Sequence, residues 1–360
     1  HNGPVLSLAW SSDGWRLASG GNDGTVCIWR PSAAFGPVIT HSKGVPLSSL
    51  GVSEDGTRIA AGSERGDIFV WDAGTNANST IWTAGSRVLC LAWQPGQERL
   101  ASGNESGEIQ VWHRSTRDAV RSVRPGESKT ANDQTVWRVR WSHDGKKLAS
   151  SSHTGAVQIW EPDGNAPPRL LGNLPDYALG LAWSPDDTML AAGSTRGEIW
   201  IWRAADGAEP VVKISGEPGR GHADSVASLA FLPEGNVLAS CGRDGTLRLW
   251  DTRSGAALAV TPPVAGFLDD RAHSKDGSKI SAVGTDGDLR VWESDGLVPS
   301  FAISMHDGSI AAVAWKGERI FSASDDGTVR ILDLDETKWK ARARQIIGVD
   351  VRKRAGAQSL

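Results

Sequence analysis

The stretch LASGGNDGTVCIW, Leu17 to Trp29, returns almost unchanged as LASCGRDGTLRLW, Leu238 to Trp250, and as IFSASDDGTVRIL, Ile320 to Leu332. A recurring string is one structural unit copied along a chain, and a unit this short cannot bury its own apolar faces. Its final aromatic marks the period. That position holds Trp29, Trp71, Trp112, Trp160, Trp202, Trp250 and Trp292, with Leu332 in the eighth place, so the steps run from 40 to 48 residues.

The units also begin alike. VLSLAWSSDGWRLASGGNDGTVCIW aligns with VLCLAWQPGQERLASGNESGEIQVW, Val88 to Trp112, and with ALGLAWSPDDTMLAAGSTRGEIWIW, Ala178 to Trp202. Each reads as an apolar strand, a turn in which Asp and Gly tolerate the required dihedrals, a second strand, a tight turn and a third strand. A looser segment such as PVIT or PVVKI supplies a fourth strand. Helical periodicity is absent from these units, so the chain is all-β. A lone four-stranded sheet leaves both faces exposed. Sheets stacked radially about an axis bury those faces against one another, which is a β-propeller. The inner strands are expected to start near Val5, Leu47, Val88, Val136, Ala178, Val226, Leu268 and Ile310.

Composition fits this plan. A chain of 360 residues exceeds what one core usually supports, and repetition removes the difficulty. The 17 Trp beside a single Tyr, and the 42 Gly, belong to repeated strand ends and turns. The net charge of −4 divides into a tail, residues 334–360, with seven Lys/Arg and three Asp/Glu, and a body of −8. An acidic body binds phosphate backbones poorly, so no nucleic-acid partner is expected. Cys27, Cys90 and Cys241 fall at unrelated repeat positions, which gives neither a disulfide framework nor a zinc spacing and suits a reducing compartment such as the cytoplasm. No run approaches 18 apolar residues, so no membrane-spanning helix is expected.

The repeat resembles the WD40 family. Leu249–Asp251 (LWD) and Val70–Asp72 (VWD) carry the dipeptide, while Trp29-Arg30, Trp112-His113, Trp160-Glu161, Trp202-Arg203 and Trp292-Glu293 depart from it. The resemblance spans residues 1–333 and implies a propeller of eight four-stranded blades, with seven as the alternative. It leaves 334–360 as a basic extension. There, Asp335 to Ile347 suits a helix with Trp339, Ala343, Ile346 and Ile347 on one face, and Gln345 to Val351 can supply the last outer strand.

The resemblance also implies a buried His–Ser–Asp–Trp hydrogen-bond network. Its members are His1, Ser19, Asp23 and Trp29 in the first repeat, and His222, Ser240, Asp244 and Trp250 in the sixth. The eighth has His306, Ser322 and Asp326 with Leu332 in place of Trp, the seventh has Ala282 for the hydroxyl, and the second and fifth have Arg65 and Arg196 for the Asp. The set recurs, whereas a catalyst needs one site, so these residues read as structure and not as a hydrolase triad. The eight His show no metal spacing and no loop cradles phosphate, so neither cofactor nor metal is expected. Trp-rich quinone-dependent propellers require a Trp where Ala259 stands.

In WD40 proteins, partners most often use the narrow top face. Applying the family's three positions per blade gives Arg87 and Glu105 in the third blade, Trp137 and His153 in the fourth, Tyr177 in the fifth, Arg243 in the sixth, and Phe267 and Asp269 in the seventh. Trp, Tyr and Arg are the residues most enriched at binding hot spots, which points to blades 3 to 5. Packing between blades is the other use of Trp137 and Tyr177. The resemblance thus implies a scaffold or sensor of bacterial type, taking a protein, a peptide or other domains of the same polypeptide. A propeller enzyme or small-ligand binder working through the central channel is the alternative.

Overall fold

The computed structural model describes residues 1–10, 17–29, 38–41, 47–53, 58–72, 80–113, 119, 121–123, 135–164, 166–205, 209–217, 219–316, 319–324, 326 and 329–334. They form eight antiparallel sheets, each built in sequence order from the inside outwards, and no helix occurs among them. Among the described residues, seven blades are complete with four strands. The eighth signature forms a three-stranded sheet, Ile310–Lys316, Arg319–Ser324 and Val329–Asp333. Neighbouring inner strands pack in succession, and Ile310–Lys316 meets Val5–Trp10 to close the ring. The segments 335–347 and 345–351, read as a helix and a closing strand, lie outside the described residues.

The inner strands begin at Val5, Leu47, Val88, Val136, Ala178, Val226, Leu268 and Ile310, as the repeat alignment requires. In each of the eight a bulge follows the first residue. The extra residue re-aims the start of the strand toward the axis. The tight turn between the second and third strands puts a glycine at positive φ, as at Gly24 (72°) and Gly245 (74°), where a Cβ is disfavoured.

The core lies between blades. Val157, Ile159 and Leu171 of blade 4 pack with Leu181, Trp183 and Trp202 of blade 5. Two kinds of Trp account for the composition. The third-strand Trp fills the space inside and between sheets, as Trp202 and Trp250 do with no exposed surface. The Trp ending an inner strand reaches back to the previous blade. Trp93 Nε1 donates to the Gly51 carbonyl (3.2 Å), Trp141 to Ala92 (3.0 Å) and Trp183 to Arg140 (3.0 Å).

At the bottom face, Gly145, Gly235 and Gly277 occupy one position of the turn after the inner strand at positive φ, and blade 5 places Asp187 there instead, at φ 57°. Its carboxylate explains the choice. Oδ1 accepts from the His143 main-chain N–H (2.8 Å) and meets His143 Nδ1 (2.7 Å), and Oδ2 accepts from Asp144 N–H (2.9 Å), clamping blade 5 to blade 4. Asp187→Ala loses these bonds and keeps the backbone strain, whereas Asp187→Gly loses the bonds and relieves it. The Ala variant is expected to be less stable than the Gly variant by about 1 kcal/mol in chemical denaturation. The reverse order would contradict the strain at this turn.

Candidate functional site: buried networks, top face and channel

The polar networks are structural in three blades. In blade 6, Trp250 Nε1 donates to Ser240 Oγ (2.8 Å), Ser240 Oγ meets His222 Nε2 (2.7 Å), and His222 Nδ1 meets Asp244 at 2.9 Å. A neutral imidazole protonated on Nδ1 satisfies every bond, with the Ser hydroxyl donating to Nε2. Asp244 also accepts from the main-chain N–H of Ala223 and Thr246 and from the Thr246 hydroxyl. Blade 1 repeats the pattern with His1, Ser19 and Asp23, and blade 8 with His306, Ser322 and Asp326. The side chain of Trp29 lies outside the described residues. None of the three imidazoles has exposed side-chain surface, so no substrate reaches them.

The blades without the network solve the turn differently. Ser63 and Ser194 hydroxyls accept from the N–H groups of Arg65 and Asp67 and of Arg196 and Glu198, doing the work of the absent Asp. In blade 7, where Ala282 removes the hydroxyl, Asp286 takes both guanidinium nitrogens of Arg290, at 3.1 and 2.6 Å. In blade 5 the same loss, at Ala192, leaves the buried Trp202 Nε1 without an acceptor among the described residues.

Burial pulls the imidazoles of His222 and His306 below the ordinary 6.5, more than their Asp partners raise them. Burial raises the Asp244 carboxyl, but His222 and the main-chain donors outweigh it and hold the group below the ordinary 3.8. Both signs agree. Below pH 6.5 the unfolded chain takes up protons on these His that the folded state refuses, so stability falls on acidification. Asp244 adds a further loss as pH drops below 3.8. The melting temperature is expected to be level from about pH 8 to 7 and to fall steadily from about pH 6.5 to 5. A rise over that lower interval would contradict neutral, buried imidazoles.

On the top face, two of the three expected positions are joined by a main-chain hydrogen bond. Asn22 N–H donates to Pro4, Glu105 to Arg87, His153 to Thr135, Thr195 to Tyr177, Arg243 to Ser225 and Thr285 to Phe267, at 2.7–3.1 Å. Contacts between blades link these pairs. Arg87 meets Glu64 of blade 2 (3.3 Å), Thr135 Oγ1 donates to the Glu105 carbonyl (3.1 Å), and Ser225 Oγ to the Thr195 carbonyl (3.2 Å). The Tyr177 ring stacks on His153 with centroids 3.6 Å apart, and His153 lies 6.1 Å from Trp137. Arg243 lies 5.9 Å from the Phe267 ring centroid. Candidates scattered from Arg87 to Phe267 in sequence thus form one continuous belt over blades 2 to 7.

Tyr177 (38 % exposed) and Phe267 (46 %) are the exposed aromatic members, while Trp137 and His153 are half-buried. Trp137 Nε1 and His153 Nδ1 are buried and lack a hydrogen-bond partner among the described residues. Arg87 is engaged with Glu64 as an exposed ion pair and is not a free fork.

Asp269 belongs to the channel. The inner strands of all eight blades line a cavity of about 250 Å³ on the axis, where Asp269 and Asp270 of blade 7 share the wall with Arg138 and Arg140 of blade 4. The arginines were not singled out by the sequence reading. Aligning the inner strands would have shown them, because Arg140 stands where the other blades have Ala or Gly.

The WD domain, G-beta repeat family matches residues 1–30, 37–72, 79–113, 125–161, 170–203, 217–251 and 298–333. The gap, 252–297, holds the first three strands of blade 7, where Asp269, Asp270 and Arg271 break the apolar inner strand. The chain is 31 % identical over 123 residues to a ribosome biogenesis protein WDR12 homolog of Chlamydomonas reinhardtii, covering 32 % of this chain and 28 % of that one. It is 49 % identical over 47 residues to striatin-4 of Mus musculus, covering 13 % and 6 %. The chain therefore spans less than a third of these relatives. Among solved structures, Sqt1 of Chaetomium thermophilum bound to the N-terminus of ribosomal protein L10 superposes with a TM-score of 0.80 at 18 % identity, covering 92 % of this chain and 97 % of that one. The computationally designed Ika8 protein gives 0.77 at 21 % identity over the same shares. Repeats matched over more than half its length, on a ring of radially stacked antiparallel sheets, make this chain a member of the WD40 family.

Proposed function

We propose that this propeller is a non-catalytic interaction scaffold that takes a protein or peptide partner on its top face, across blades 3 to 5. The observation that carries this reading is the stack of Trp137, His153 and Tyr177. Rings held by one another and by main-chain bonds lose little entropy when a partner docks. The exposed face of the stack is the Tyr177 ring, 38 % exposed, which offers a partner flat apolar area. Sqt1 is a protein of the same fold seen with a ribosomal-protein segment, which supports a peptide-sized partner. The Ser–His–Asp sets are three buried copies of one network, which argues against hydrolysis.

The partner is a separate protein or another domain of a longer polypeptide, in which the propeller serves as scaffold or sensor. Cys27, Cys90 and Cys241 are buried and unbonded, which suits the cytoplasm. Peptides selected from a displayed library on the wild-type propeller test the site. They should lose binding to a variant carrying Arg87→Ala, Trp137→Ala and Tyr177→Ala and keep it on one carrying Pro4→Ala and Asn22→Ala in blade 1. Equal binding to all three proteins would remove blades 3 to 5 as the site.

A further inference from the structure

The channel poses an accounting question. Four charged side chains line it, Arg138 and Arg140 on blade 4 and Asp269 and Asp270 on blade 7. The carboxylate wall is occupied. Asp270 accepts from the Ser228 hydroxyl through Oδ1 (3.1 Å) and from the Val313 N–H through Oδ2 (3.1 Å). Asp269 is engaged as well. The guanidinium wall is not. Arg138 gives one N–H to the Trp137 carbonyl (3.1 Å) and Arg140 one to the Val139 carbonyl (3.2 Å), and neither pairs with a carboxylate among the described residues. A guanidinium carries five N–H donors, so most of the donors on this wall remain unused.

We propose that Arg138 and Arg140 form a binding site for a small phosphate-bearing anion in the central channel. Residues two apart on a strand share a face about 7 Å apart, so two forks can close on one tetrahedral anion and grip different oxygens. The strand is held from both sides, since Trp141 Nε1 donates to Ala92 of blade 3 and Trp183 Nε1 donates to the Arg140 carbonyl. Arg140 lines the channel and keeps exposed surface there. Burial, and then the neighbouring Arg138, draw its guanidinium below the ordinary value, a cost that a bound anion reverses. A cavity of about 250 Å³ has room for a phosphate or a short phosphate ester.

The repeat supplies a gentle test variant. Arg140→Ala installs the residue found at this register in the flanking blades, Ala92 and Ala182, and Arg138→Ser installs that of blades 1, 2 and 6, Ser7, Ser49 and Ser228. Wild-type protein and R138S/R140A are titrated with inorganic phosphate at constant ionic strength, by calorimetry and by thermal melting, with chloride as the control. Phosphate should bind the wild type at least about tenfold more tightly and raise its melting temperature in a saturating way. The double variant should melt higher than the wild type without phosphate, because the like-charged pair is gone, and should not respond to it. Arg140→Ala alone gives the same readout if the double variant does not fold. Glycerol 3-phosphate titrated in parallel distinguishes free phosphate from an ester by which binds tighter. Phosphate binding equal in the wild type and the variant, or no response of the wild type beyond that to chloride, would overturn the site.

Discussion

Asp244→Ala is expected to destabilise the propeller by about 3 kcal/mol, while Asp295→Ala stays within about 0.5 kcal/mol. The difference is one of accounting. Asp244 is nearly buried and accepts from His222, from the N–H groups of Ala223 and Thr246, from the Thr246 hydroxyl and from Arg248. Removing the carboxylate leaves those donors without an acceptor where water cannot replace it. It also frees His222 to turn, and with it Ser240 and the Trp250 indole. Asp295 is exposed at the bottom of blade 7. Asp244→Asn keeps one acceptor oxygen and should fall between the two. Urea denaturation of the three variants checks the order, and coincident midpoints for D244A and D295A would show that the network carries no stability.

The second large effect is on binding. Truncating a hot-spot aromatic typically costs about 2 kcal/mol, roughly thirtyfold in affinity, so Arg87→Ala, Trp137→Ala and Tyr177→Ala together should abolish capture of selected peptides at micromolar concentration. Within the triple, Tyr177 and Trp137 should dominate. They supply the rigid apolar area, whereas Arg87 is already held in an exposed ion pair with Glu64, a kind worth about 1 kcal/mol or less. The melting temperature separates the two uses of these rings. A triple variant that folds normally and fails to bind identifies a docking surface. One that melts early identifies packing between blades, the use to which the half-buried Trp137 is also suited.

The starts of all eight inner strands, the all-β class and the three His–Ser–Asp networks were legible because each rests on a pattern that repeats. Alternation, turn glycines and an Asp that caps its own turn are local, and copies at a fixed period reinforce one another. The pairing of top-face positions within a blade followed from the same period, as in Glu105 with Arg87 and His153 with Thr135. The departures from the repeat were visible as letters but not as contacts. Arg65 and Arg196 announced that the network was missing. That Ser63 and Ser194 would cap those turns instead, or that Asp286 would turn to Arg290, depended on which donor lay within reach once the strands had paired.

The amino-acid sequence by itself determined the blade: its strands, its turns and the buried hydrogen bonds within it, all interactions between residues fewer than about 25 apart. Tertiary structure alone decided what neighbouring and facing blades bring together. His153 stacks on Tyr177 because blades 4 and 5 meet at the angle their packed Trp and Leu side chains allow. Arg138 and Arg140 share a cavity with Asp269 and Asp270, more than 120 residues away, because the ring closes with the inner strands of blades 4 and 7 on one axis. A periodic pattern specifies what each unit buries. The angle between units and the closure of the ring arise from the summed packing of every interface, and no single repeat encodes them.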